Sequence, residues 1–113
     1  MIASFILTEQ EWQFALSGKG DAQSLLEKGL ASADESGLVQ LSRELGLVAE
    51  EARATPAAEI EPGVFARRGQ RFCLLLEPYP RRSGTVKIAL YKDGAALEAA
   101  LAERREEKDE TAD

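Results

Sequence analysis

Histidine is absent from the 113 residues, and cysteine, methionine and tryptophan occur once each. The commonest general base and zinc ligand is therefore missing. Ser-His-Asp and Cys-His nucleophile arrangements, and metal motifs built on paired histidines, are excluded. A lone Cys73 closes no internal disulfide, so the fold does not depend on an oxidising compartment. Aromatic residues make up 6% of the chain, which leaves Ala, Leu and Val to fill the core. No apolar run approaches the ~20 residues of a membrane span. The opening Met1-Ile2-Ala3-Ser4-Phe5-Ile6-Leu7 lacks the basic flank and the length of a secretory signal. These absences point to a cytoplasmic protein with no cofactor, no metal, no catalytic residues and no membrane contact.

What is present suits one domain. A chain of 113 residues buries roughly two-thirds of its unfolded surface, enough for a core without staples. The net charge is −6, which argues against nucleic acid, because phosphate binding rests on cationic neutralisation. The charge is unevenly spread. Residues 1–61 hold eleven carboxylates against four cations, and residues 62–94 hold seven cations against two carboxylates. The remainder is acidic again.

Local signals divide the chain into elements. Residues 2–7 read as a short strand or a lead-in. Thr8 and Glu11 form a capping box, with Leu7 and Trp12 placed as a staple, for a helix over 8–17 ended by Gly18. Asp21 caps a second helix over 21–28, with Leu25 and Leu26 as anchors. Residues 31–33 and 38–41 flank the polar turn Asp34-Glu35-Ser36-Gly37 as a hairpin. Ser42 starts a third helix over 43–54, whose stripe is Leu45, Val48, Ala49 and Ala52. Strands are expected near 58–60, 64–66, 71–77 and 85–91, and a last helix over 95–106 behind Asp93. Strand 71–77 reads as buried on both faces. The alternation in 85–91 reads as half-exposed. Gly69 reads as the positive-φ residue of a turn. Residues 1–104 are expected to form one domain and 105–113 a charged, disordered tail. The fold class is α+β, with N-terminal helices and a hairpin, then a small antiparallel sheet covered by a C-terminal helix.

The segment Ser24-Leu25-Leu26-Glu27-Lys28-Gly29-Leu30, followed by Asp34 to Gly37 and Leu38 to Leu41, resembles segments of winged-helix proteins. With the helix start Leu7-Thr8-Glu9-Gln10-Glu11, the later strands and the closing helix, residues 5–102 resemble small winged-helix-like proteins of the type VII (ESX) secretion-associated chaperone kind. The chain is much shorter than the longer chaperones of that kind, so their substrate-clasping elements have no counterpart here. The resemblance implies a non-catalytic adaptor that binds a helical secreted protein. The alternatives are a winged-helix regulator binding DNA and a phage or mobile-element protein acting by occlusion. The regulator reading conflicts with the second and third helices, which carry only Lys28, Arg43 and Arg53 amid carboxylates.

The candidate partner-binding residues are Tyr79, Arg81, Arg82, Arg67 and Arg68. Tyr79 stands between Pro78 and Pro80 in a stiff turn, as the exposed aromatic to test first. The arginines have two readings: a surface for an acidic protein segment or RNA, or solvated turn charge that balances the acidic helices. The two pairs lie at opposite ends of strand 71–77 and form no single patch. Cys73 reads as a buried thiol, since a nucleophile needs a cation or helix end and a base. An edge strand near 58–66 would permit a homodimer.

Overall fold

The computed structural model describes residues 1–111, with side chains described as far as Glu106. It is α+β. Among the described residues, β1 (Ala3–Thr8), β4 (Ala58–Glu61), β5 (Val64–Arg68), β6 (Cys73–Pro78) and β7 (Thr85–Tyr91) form an antiparallel sheet in the order β1-β7-β6-β5-β4. The hairpin of β2 (Ala31–Ala33) and β3 (Val39–Leu41) stands apart. Helices α1 (Glu9–Ser17), α2 (Gln23–Glu27) and α3 (Arg43–Ala54) lie on one face of the sheet, and α4 (Gly94–Thr111) covers the other. No helix among these residues is long and apolar enough to cross a membrane.

The first turn forms as the sequence dictates. Thr8 accepts from the Glu11 amide at 3.1 Å, and Glu11 accepts from the Thr8 amide at 2.8 Å. Leu7 and Trp12, before and after the box, are both buried. Gly18 ends α1 at φ 73°, a left-handed geometry that costs a glycine little. Asp21 accepts from the Gln23 amide at 2.9 Å, but the helix it introduces has five residues. Asp34 holds the β2–β3 turn by accepting from the amides of Ser36 and Leu38.

One strand settles an open reading and another departs from expectation. Residues 3–8 are a full strand paired with β7 from Ala3↔Leu90 to Thr8↔Thr85. That pairing places β7 inside the sheet. Ile88 and Leu90 pack towards α1 and α3, while Ala89 and Tyr91 pack under Leu97 and Leu101 of α4. β7 is therefore covered on both faces and is not half-exposed; only its Val86–Lys87 stretch is partly open. β6 has the expected double burial, with Leu74 on one side and Cys73 and Leu75 on the other.

Two smaller corrections concern α4 and Gly69. Helix α4 runs five residues past the expected 106, so the tail foreseen from Arg105 is helical to Thr111. Ala112 and Asp113 lie outside the described residues. Gly69 does not adopt positive φ. Its demand is close approach: a Cβ there would stand 2.3 Å from Glu51 Oε2 and 2.7 Å from the Phe72 carbonyl oxygen.

Glu11 is 1% exposed and receives Lys28 Nζ at 2.8 Å. Burial raises its pKa, but the bonds from Lys28, the Thr8 amide and Ser24 together outweigh burial and hold it below the ordinary 4.5. Because the folded value is the lower one, Glu11 contributes stability above the unfolded value and loses it as pH falls through the folded one. Urea titrations below pH 4.5 should therefore show a steeper loss of stability for the native chain than for Glu11→Gln. Parallel curves would remove this role from Glu11.

Candidate binding surface

The β6–β7 turn is tightly bonded. The Tyr79 amide donates to the Thr85 carbonyl at 3.0 Å, and the Thr85 hydroxyl donates to the Arg82 carbonyl at 2.6 Å. Pro78 and Pro80 fix φ on either side of Tyr79. Arg81 and Arg82 are exposed, and neither guanidinium has a partner among the described residues. Tyr79 is half-buried, so it is less open than its place between prolines suggests.

Strand register decides what lies beside this turn. Thr85 pairs with Thr8, the cap of α1, while Pro78 pairs with Val86 and Leu76 with Phe65. The turn, the start of α1 and the Phe65 end of β5 therefore share one end of the sheet. There the face under α1 opens into a cleft of about 380 Å³, floored by Trp12, Phe65, Leu76 and Val86. Glu9, Gln13 and Arg67 stand at its rim. The apolar floor can take hydrocarbon side chains, and the polar rim can orient what enters.

The five candidate residues separate into two groups. Tyr79, Arg81 and Arg82 are together at the cleft end. Arg67 and Arg68 lie further along β5: Arg67 reaches the cleft rim from the α3 side, and Arg68 faces Cys73 across the ladder. Arg67 Nη1 donates to the carbonyls of Ala52 at 2.8 Å and Thr55 at 2.5 Å. These are C-terminal carbonyls of α3, left open by the helical pattern. Burial lowers the pKa of Arg67, yet a guanidinium keeps its charge in proteins. Arg68 pairs with Glu98 of α4 at 2.6 Å, and Arg71 pairs with Glu50 at 3.2 Å and Glu51 at 3.1 Å on α3. Arg68 and Arg71 thus balance helix carboxylates, whereas Arg67 bonds backbone carbonyls.

Sequence reasoning missed a second arginine of this kind. Arg53 Nη1 donates to the carbonyls of Ala15 and Leu16, both at 3.2 Å, and so closes α1. Its place in the last turn of α3 is a usual one for a cation, but the carbonyls belong to another helix, which the sequence does not reveal. A larger groove of about 660 Å³ runs from the end of α1 to the β2–β3 hairpin, beside the exposed Leu38. Arg53 is its charged lining residue and is already engaged, so that groove offers little to orient a ligand.

Cys73 is 3% exposed. Burial pushes its pKa up, opposed by the charge of Arg68 and the Gly69 amide and reinforced by Asp93 and Glu51. A thiol held protonated is a poor nucleophile. Among the described residues, no three His, Cys, Asp or Glu side chains converge as a metal set. No family model matches the chain, and no curated protein or solved structure matches it either.

Arg67→Ala should lower stability by about 1.5–3 kcal/mol, the usual range for a hydrogen bond to a charged group, as read by urea unfolding. Arg81→Glu and Arg82→Glu should each stay within about 0.5 kcal/mol of the native chain, because they break no contact. Equal costs at the two sites would mean that Arg67 does not hold the end of α3.

Proposed function

We propose that this chain is a non-catalytic protein-binding module, an adaptor or chaperone for a helical segment with acidic flanks. One observation carries the reading: two uncompensated arginines on a stiff turn stand at the same end of the sheet as an apolar cleft. An amphipathic helix can set one apolar ridge into such a cleft, with anchors spaced at i, i+3 and i+4. Carboxylates at its flank then meet Arg81 and Arg82. Such pairs at a solvated rim favour encounter and orientation more than raw affinity. The bulk of the chain is acidic, so an acidic partner is accepted at this end and repelled elsewhere. The resemblance to secretion-associated chaperones agrees with a helical client and with work in the cytoplasm.

The regulator reading has less support. The β2–β3 hairpin lies between α2 and α3, and α3 spends its apolar stripe and Glu51 on the interior. Its outward surface carries Arg43 beside Glu44 and Glu50, while Arg53 is bonded to α1. A helix that reads DNA presents donors to base edges and phosphates. No particular contact favours action by occlusion.

Trp12 is the sole tryptophan and lines the cleft, so its fluorescence reports occupancy. Titration with a synthetic amphipathic helical peptide carrying acidic flanks should shift Trp12 emission saturably. The response should weaken with salt and fall by roughly tenfold in apparent affinity when both Arg81 and Arg82 become Glu. The same peptide with basic flanks should give no saturable change. Equal responses to both peptides, or to neither, would remove the basis for this function.

A further inference from the structure

We propose that the free edge of β1 is where two copies of this chain pair, antiparallel and about a two-fold axis, joining their sheets edge to edge. The inference does not rest on the cleft. Among the described residues the sheet has two edges, β1 and β4. The β4 edge is guarded. It carries Glu59 and Glu61, its register is broken between them, and Pro62 follows directly. Charges, bulges and prolines are the usual devices that stop an edge from recruiting another strand. The stretch 58–66 therefore makes a poor dimer seam, and half of it, β5, is an inner strand.

β1 has none of these devices. Ala3-Ser4-Phe5-Ile6-Leu7-Thr8 contains no charge, proline or glycine, and its register with β7 is unbroken. Ile2 and Ile6 are exposed by 51% and 40%. By strand alternation they share the α4 face of the sheet with Ser4. Arg68–Glu98 and Arg104 with Glu61 and Glu77 tie α4 towards β4, β5 and β6. Ala96 and Ala100 of α4 pack against the core on this face, and Glu103 lies close enough to Tyr91 of β7 for its charge to be felt there. β1 itself carries no charge, and the nearest charges on this face are Lys87, one strand inward, and Glu103 of α4, near Tyr91.

A second copy fits this strip in charge and in spacing. Copies with a net charge of −6 repel wherever charged surfaces meet, and this edge is where they do not. A two-fold axis through Ser4 sets Ile2 opposite Ile6 of the second copy, and Ala3 opposite Phe5. Apolar residues meet apolar residues on both faces, as an isologous contact requires. Six residues span about 20 Å of strand. Such a seam buries less than the ~800 Å² per partner of a standard interface, so the dimer is reversible and depends on concentration.

Sedimentation velocity of the full chain from micromolar to millimolar concentration tests the pairing. The native chain should pass from monomer to dimer. Ile6→Lys should weaken the dimer by at least roughly tenfold, as a lysine guard does on natural edges, and Ile60→Lys on β4 should leave it unchanged. Circular dichroism checks that Ile6→Lys folds. Independently, Ser4→Cys should form an inter-chain disulfide under mild oxidation, because directly opposite residues have Cα atoms about 4.5–5.5 Å apart. The native Cys73 is buried and does not compete. A native chain that stays monomeric overturns the proposal. So does a dimer that survives a folded Ile6→Lys, or a Ser4→Cys chain that dimerises without cross-linking.

Discussion

The architecture depends on keeping β7 dry from both sides. Its Ile88 and Leu90 need α1 and α3, and its Ala89 and Tyr91 need α4. Burying a Leu or Ile side chain is worth about 1.5–3 kcal/mol, so neither helical layer can leave without exposing the middle of the sheet. The ion pairs are secondary to this. Arg68–Glu98 joins two side chains each about half exposed, and exposed pairs contribute about 0–1 kcal/mol. They set where a helix lies more than whether it stays.

The arginines divide by what surrounds them. Arg53 and Arg67 finish helices that are not their own. Both reach carbonyls that the helical pattern leaves unpaired, and both join elements distant in sequence. Arg71 and Gly69 extend the same corner, where Glu51, Thr55 and the Phe72 carbonyl approach closely. Among the described residues, Arg81 and Arg82 make no such contact and are exposed. A count of positive charge over residues 62–94 merges these two populations; contact geometry separates them.

Much of the fold was legible because its signals are local. Thr8 and Glu11 announce a helix start from four adjacent residues. Leu45, Val48, Ala49 and Ala52 announce a buried stripe by period alone. β7 was misread because its Lys87 and Ala89 look like a wet face when taken alone. Its face at Ala89 and Tyr91 is covered by α4, and its edge is paired by β1 from the other end of the sequence, where residues 2–7 carry no turn or periodic signal that names their neighbour. The candidate site was legible in part for the same reason. The stiff turn at Pro78-Tyr79-Pro80 and its free arginines are local features. The cleft is made by Trp12, Phe65, Leu76 and Val86, which no single window contains.

The register between β1 and β7 also has a consequence for synthesis. Thr8 meets Thr85, so the first strand made waits for nearly the last. At about 5–20 residues per second, that interval lasts roughly 4–15 seconds. Throughout it, Phe5, Ile6 and Leu7 have no ladder to join. α1 and α3 can meet earlier on the ribosome, but the surface they will cover does not yet exist. Until β7 is made, the uncharged strand β1 is an unpaired template of the kind that recruits other strands.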